Sequence, residues 1–478
     1  MQKLVLALMM LVWAGTVVSA ADPRPSFEQR IAQLRSAAHD LPSDDRIRPF
    51  SELQKDFPLQ WDWILQDCPD LPAFLSQRAN ADIERQMLAR IFDELADAAA
   101  PLRPELAQLA NTPPTDPRWL NLYSQACQLR RAQRLRSLRA KHRQIVFTKH
   151  FNLGGSHYAY TEAQSDAQHE RTFRPGTALC ILDLTTPQPT IRTLIEDPRG
   201  VIRDPEVSHD GQRILFAWKK SDRRDDYHLY DLTLATGAIR QLTEGLGFAD
   251  YEPAYLPNGD IIFNSTRCVQ TVDCWWTEVS NLYTCDKDGR FMRRLTFDQV
   301  HDNYPKVLDD GRVIYTRWEY NDRGQIFVQS LFQMRPDGTA QMELYGNNSW
   351  FPTSILHARG IPGTNNIIGI ASGHHSFQAG KLILIDSTRG RQENTGTQLI
   401  APVRPTPAER IDAYGQDGEL FAHPYPISDR EFLVTYHPTG WNGDPTSHPK
   451  FGIYLMTIDG QRELLASDPR LSCNQPVP

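Results

Sequence analysis

Several catalytic signatures are missing from this chain of 478 residues. There is no G-x-S-x-G elbow, so the strand-to-helix nucleophile turn of serine hydrolases is absent. No G-x-x-x-x-G-K-[ST] loop is present to cradle phosphates, and no H-E-x-x-H to place two histidines on one helix face around zinc. C-x-x-C-H is absent too, which excludes covalent c-type haem. A net charge of −7 shows no global bias toward nucleic acid. After residue 18 no apolar run is long enough for a membrane helix.

The N-terminus reads as a secretory signal over residues 1–20. Lys3 supplies the charge, Leu4 to Val18 the apolar core and Val18-Ser-Ala20 a small-residue cleavage site. The expectation is therefore a periplasmic or extracellular protein with no transmembrane segment after cleavage. Seven cysteines permit disulfides but leave at least one unpaired. Cys268 and Cys274 flank a short insertion and suit a local bridge, and Cys68 and Cys127 suit a staple in the N-terminal region. Cys180 and Cys285 lie in predicted strands and read as buried thiols.

Residues 22–143 read as a small helical domain. Ser26 opens one helix, and Ile83, Met87, Ile91 and Leu95 recur at the spacing of one helix face. The basic run Arg130–Arg143 suits either an anionic surface or a solvated helix face packing through Leu135 and Leu138.

From about residue 145 the period changes. A proline is followed five and six residues later by Asp-Gly or Asn-Gly and then an apolar run. The copies are D-P-E-V-S-H-D-G from Asp204, E-P-A-Y-L-P-N-G from Glu252 and Y-P-K-V-L-D-D-G from Tyr304. Asp-Gly and Asn-Gly supply the positive φ of tight hairpins, and the flanking β-branched runs suit half-buried strands. Lacking an N–H, the proline is expected at the start of an inner strand. A period near fifty with several short strands per unit predicts a mainly β chain, a six-bladed β-propeller over residues 145–470, with five or seven blades as alternatives. An earlier unit is read from Ile145–Thr148 and Ala178–Asp183, split by an insertion. A later one opens at Trp350-Phe-Pro352, and residues 471–478 are left as a C-terminal tail.

Polar residues precede each predicted inner strand and would converge on the axis. Asp204, Asp250, His301 and Asp412 form a candidate metal set, oxygen and imidazole donors being suitable for Ca²⁺ or Zn²⁺. His157, Tyr158, Asp204, Glu252, Trp350 and Asp417 form a candidate ligand-binding set. The same carboxylates would equally well cap turns at strand entrances. No residue is assigned a catalytic role, and the balance of motifs leans away from an enzyme. A small ligand or an exported protein partner is expected.

The repeat looks like the TolB-type six-bladed propeller of exported bacterial proteins. Longer strings sharpen this: G-G-S-H-Y-A-Y-T-E-A-Q-S-D from Gly154, Y-T-R-W-E-Y-N-D-R from Tyr315, Y-G-N-N-S-W-F-P-T from Tyr345, L-H-A-R-G-I-P-G-T from Leu356, I-A-S-G-H-H from Ile370, R-I-D-A-Y-G-Q-D-G-E-L-F from Arg410 and S-C-N-Q-P-V-P at the end. They resemble proteins that carry the hydrazine synthase alpha-subunit middle domain. In that family haem groups outside the propeller carry the redox chemistry. Without a haem motif, the resemblance implies a non-haem propeller acting as a ligand- or protein-binding scaffold, or alternatively a metal-dependent enzyme or redox-enzyme subunit with its site at the funnel.

Overall fold

A computed structural model describes residues 25–38, 51–76, 83–113, 116–152, 173–222, 224–272, 278–320, 328–346, 349–374, 378–408, 416–442 and 449–478. The chain divides into two compact units, residues 1–127 and 128–478.

The described part of the first unit is helical: α1 (Phe27–Ala38), α2 (Ser51–Asp56), α3 (Pro58–Asp67), α4 (Leu71–Ser76), α5 (Ile83–Leu95), a 3₁₀ turn, α6 (Arg103–Leu109) and most of α7 (Pro117–Arg134). Ser26 and Gln29 form a reciprocal cap on α1. The Gln29 N–H donates to Ser26 Oγ at 3.2 Å, and the Ser26 N–H to Gln29 Oε1 at 2.9 Å. Ile83, Met87, Ile91 and Leu95 are all buried, as the spacing on α5 predicts. Inside, Arg35 pairs with Glu84 at 2.8 Å and lies over the Phe74 ring, and Tyr123 donates to Asp67 at 2.7 Å. The expected Cys68–Cys127 staple is not formed. Asp67 stands beside the Cys127 thiol instead, 3.9 Å from its sulfur. Among the described residues there is no disulfide, and Cys274 lies outside them.

In the second unit the end of α7 and α8 (Arg136–Lys141) precede twenty-four strands, counted among the described residues. They are β1 (Gln144–His150), β2 (Thr177–Asp183), β3 (Thr190–Asp197), β4 (Val201–Val207), β5 (Arg213–Lys219), β6 (His228–Thr233), β7 (Ile239–Gln241), β8 (Asp250–Tyr255), β9 (Ile261–Ser265), β10 (Asn281–Cys285), β11 (Arg293–Arg294), β12 (Asp302–Val307), β13 (Val313–Trp318), β14 (Gln329–Met334), β15 (Met342–Tyr345), β16 (Ser354–Gly360), β17 (Ile367–Ser372), β18 (Lys381–Ile385), β19 (Thr397–Leu399), β20 (Leu420–Pro426), β21 (Glu431–His437), β22 (Gly452–Thr457), β23 (Arg462–Ala466) and β24 (Ser472–Val477). Four strands at a time form antiparallel meanders, β4–β7, β8–β11, β12–β15, β16–β19 and β20–β23. The meanders β12–β15 and β16–β19 are joined into one sheet by a single parallel pair, Gln329 with Ser354.

The remaining sheet has the order β24-β1-β2-β3, so residues 472–477 are not a tail. They supply the innermost strand of the meander that β1 begins, pairing Ser472 with His150 and Val477 with Val146. Pairing satisfies backbone groups that a tail would leave to water.

The turns behave as the repeat predicts. Gly211, Gly259 and Gly311 all have positive φ. The preceding Asp210, Asn258 and Asp310 accept the N–H two residues on, at 3.0, 3.1 and 3.0 Å. Apolar clusters then glue each meander to the next. Leu179 and Ile181 pack with Ile214 and Phe216, Leu215 and Leu229 with Phe263 and Tyr283, and Ile262 and Leu282 with Tyr315 and Phe332. Ile314 and Leu331 pack with Ile355 and Ile383, and Ala379 with Leu420 and Trp441. The last cluster returns to the start, where Leu433, Ile453 and Leu455 meet Ile145, Phe147 and Cys180. Leu135 and Leu138 join that cluster, while Arg131 and Arg134 each reach the buried Glu463 at 3.1 Å. This part of the basic run is therefore a packed, ion-paired helix end, which is why residues 128–141 group with the strands.

Candidate functional site

The innermost strands β4, β8, β12, β16, β20 and β24 share one local device. Each holds a single non-glycine residue in the left-handed region: Asp204 (φ 57°), Glu252 (50°), Tyr304 (58°), His357 (52°), His423 (48°) and Gln475 (56°). Such backbone costs about 1–3 kcal/mol per residue and persists only where surrounding contacts over-determine it. Around every one of them the ladder to the neighbouring strand slips: Arg203/Glu206, Tyr251/Ala254, Asn303/Lys306, Leu356/Arg359, Ala422/Tyr425 and, across β1, Val146/Thr148. These are bulges, and a proline occupies the position after the left-handed residue in five of them: Pro205, Pro253, Pro305, Pro424 and Pro476. The prolines thus sit inside the inner strands, not at their starts, because a bulge leaves a position where a missing N–H costs nothing. In β16 the place is taken by Ala358. Pro352, expected to open that unit, lies ahead of the strand.

The left-handed residues are stitched side by side. The Glu252 N–H donates to Asp204 Oδ2 at 3.0 Å, the Tyr304 N–H to Glu252 Oε2 at 2.7 Å, the His423 N–H to His357 Nδ1 at 3.3 Å and the Asp204 N–H to Gln475 Oε1 at 2.9 Å. Gln475 also donates its amide to Asp204. Beneath the acidic pair lies Arg203, 1% exposed, with Nε 2.5 Å from Asp204 Oδ2 and Nη2 3.0 Å from Glu252 Oε1. Asn264 adds a donor to Glu252 at 2.7 Å. Burial, with the Asp204 charge next door, pushes the Glu252 carboxyl up to about 8 against the pull of Arg203.

The opposite half of the ring is aromatic and cationic. The His357 and His423 rings lie 3.8 Å apart, and the Tyr304 ring meets His357 edge-on at 4.6 Å. Burial holds His357 down at about 3 and His423 well below the usual imidazole range, so both are neutral near pH 7. Two residues beyond Tyr304 and His357 stand Lys306 and Arg359. Their charged ends share one oxygen, Glu206 Oε2, at 2.8 and 3.3 Å. Burial opposes ionisation of Glu206, yet the two cations bring its carboxyl below the usual range. Arg359 also lies over the Tyr425 ring at 4.5 Å. Lys306, Arg359 and the six left-handed residues line a cavity of about 60 Å³. It has room for a few waters or a small ligand.

Of the expected ligand-binding set, Asp204 and Glu252 line this cavity. Trp350 lies on an exposed stretch with its N–H on Glu393, and Asp417 is exposed with its carbonyl on Lys381. Neither lines the cavity. His157 and Tyr158 lie outside the described residues, as does Asp412. The three described members of the expected metal set, Asp204, Asp250 and His301, are not brought together as a metal-binding group. Asp250 is spent on Ser265 at 2.7 Å and on Arg267 at 3.0 and 2.6 Å. His301 packs against Trp318 with Nδ1 accepting the Ser280 N–H at 3.3 Å. Among the described residues no group of three or more His, Cys, Asp or Glu is placed to hold a metal ion. Asp250 already has its charge balanced by Arg267, which weakens the attraction it could offer a cation.

Sequence reasoning missed Glu206, Lys306, His357, Arg359, His423 and Gln475. His423-Pro424 and Gln475-Pro476 carry the signal of a polar residue before proline, but no Asp-Gly follows at the repeat's spacing. His357-Ala358 carries no such signal.

No protein-family model and no curated protein matches the chain. Solved structures do. The hydrazine synthase of Kuenenia stuttgartiensis aligns with a TM-score of 0.54 at 17% identity, covering 70% of this chain and 46% of that one. TolB from Acinetobacter baumannii aligns with a TM-score of 0.44 at 15% identity, covering 70% of this chain and 65% of that one. This chain thus matches less than half the length of the hydrazine synthase chain, and at such identity the likeness is one of fold: a mainly β chain of the propeller kind.

Proposed function

We propose that residues 128–478 form a six-bladed β-propeller closed by β24, exported to the periplasm or beyond, which acts as a binding scaffold with its ligand site in the axial cavity. The observation that carries this reading is the ring of six left-handed residues. It brings side chains from every meander into one small polar chamber at a backbone cost of several kcal/mol. The six meanders, and the packing that leads from the last back to the first, support the blade count. The alternative of a metal-dependent enzyme finds no ligand cluster among the described residues.

The test is a thermal-shift screen of the full chain against small neutral, cationic and anionic compounds, repeated on Tyr304→Ala. Compounds that raise Tm only with Tyr304 present are the expected outcome, since binding to the native state alone stabilises it. A screen in which no class shifts Tm would overturn the site.

A further inference from the structure

We propose that the axial cavity takes a small singly charged oxyanion of about acetate size, gripped by Lys306, Arg359 and the Nε2–H of His357; this rests on the cavity being a ligand site. Three independent features converge on it.

The first is the tautomer of His357. Its Nδ1 accepts the His423 N–H at 3.3 Å, so in the neutral ring the proton resides on Nε2. That nitrogen is buried without a hydrogen-bond partner, in a residue only 7% exposed that lines the cavity. It is a donor in want of an acceptor, and a buried donor left unmatched is costly.

The second is the charge count on the open side of the ring. Lys306 and Arg359 converge on a single oxygen of Glu206, at 2.8 and 3.3 Å. The further contact of the Lys306 ammonium is the Pro253 carbonyl at 3.5 Å, and that of the Arg359 guanidinium is the Tyr425 ring at 4.5 Å. Asp204 and Glu252 act on the Lys306 ammonium through space, but their hydrogen bonds go elsewhere. Asp204 is held by Arg203, Gln475 and the Glu252 N–H, and Glu252 by Arg203, Asn264 and the Tyr304 N–H. Around the cavity the cations Arg203, Lys306 and Arg359 stand against Asp204, Glu206 and Glu252, and with Glu252 raised to about 8 and so mostly protonated at pH 7 one positive charge is in excess, which favours an anion.

The third is size and shape. A chamber of about 60 Å³ admits a group of a few heavy atoms. The closely packed, tilted His357 and His423 rings and the edge-on Tyr304 ring wall off its flank, so the guest is small and flat. A neutral apolar guest would leave the Nε2–H of His357 without an acceptor and add nothing for the remaining N–H groups of Lys306 and Arg359, whereas a carboxylate or an inorganic oxyanion offers two or three oxygens to them.

The test is isothermal titration of the full chain with acetate, formate and nitrate at constant ionic strength in chloride. Acetamide and methylammonium serve as neutral and cationic isosteres, and sulfate as a dianion. Acetate or nitrate binding at least tenfold tighter than acetamide and methylammonium is expected, with organic and inorganic arms identifying which source of oxyanion fits. Lys306→Met and Arg359→Met, each checked for unaltered circular dichroism, should weaken that binding tenfold or more. The wild-type comparison stands even if neither variant folds. Acetamide or methylammonium binding as tightly as acetate would leave the cavity a ligand site and overturn its anion preference. Silence from all of them would overturn this inference, and silence in the thermal-shift screen as well would overturn the site. Acetate affinity unaltered in folded Lys306→Met would place the anion elsewhere.

Discussion

The two halves of the axial ring are built to opposite rules. On one side Gln475, Asp204 and Glu252 spend their oxygens on one another's backbone and on the buried Arg203, so every acceptor that faces inward is already filled. On the other side the Tyr304, His357 and His423 rings pack edge-on and tilted against one another, and the groups beside them are donors in excess. The difference teaches that a carboxylate placed next to a repeat proline can be taken up by structural contacts. Stitching occupies a carboxylate's acceptors, while the unmatched buried donor of His357 lies where the stitching is thinnest.

The comparison is broken most sharply by removing its two anchors in turn. Arg203→Met leaves two carboxylates buried without their cation and should cost about 3–5 kcal/mol of unfolding free energy. Lys306→Met on the open side should cost about 1 kcal/mol or less, because Glu206 keeps Arg359 and the Lys306 side chain is 19% exposed. Urea denaturation of both reads this directly, and equal losses would erase the distinction.

A smaller effect follows from pH. His150, His301 and His357 are held down at about 4, 3 and 3 by burial, so their contribution is complete above their ordinary value near 6.5 and is lost as pH falls toward 3. Each adds about 1.4 kcal/mol per pH unit in that window. Glu252, raised to about 8, acts in the opposite sense: its contribution is complete below about 4.5 and is lost as pH rises through 8. Between 4.5 and 6.5 three histidines outweigh one carboxyl, and above 6.5 the carboxyl acts alone. From these groups stability should peak near pH 6.5, and His357→Phe should reduce the acid-side slope by about one proton. A denaturation midpoint that stays flat from pH 4.5 to 6.5 would contradict the histidine assignments.

The smallest effect isolates the backbone cost. Ala340 is exposed with φ 55° and has no side chain to offset the strain. Ala340→Gly should stabilise by about 0.5–1 kcal/mol, whereas His357→Gly, which relieves the same strain inside the ring, should destabilise. Thermal melts of the two variants suffice, and the same sign for both would mean that the ring contacts offset nothing.

Much of the architecture was legible because it is local. Asp-Gly and Asn-Gly turns, alternating apolar runs and the four-residue apolar spacing of α5 act over a few residues, and each appears where its chemistry predicts. The proline was legible as a repeat, but its place was not. A bulge depends on how the next strand pairs, and that pairing is not written in β4 or β8 alone. Asp204 and Glu252 were found because they precede a proline in a clear copy of the repeat. Lys306 and Arg359 were overlooked because one acidic residue, Glu206, 100 and 153 positions away, gives the pair its meaning.

By itself the sequence determined the period, the turns, the helical start and the acidic residues next to the prolines, since propensity, patterning and φ preference operate within a single strand or hairpin. Only the tertiary structure decided that the last strand pairs with the first, that Asp250 belongs to Arg267, and that His357 keeps a buried donor with no acceptor. Those outcomes depend on which side chains from separate meanders meet, and burial at that meeting sets the cost of every unmatched charge and hydrogen bond.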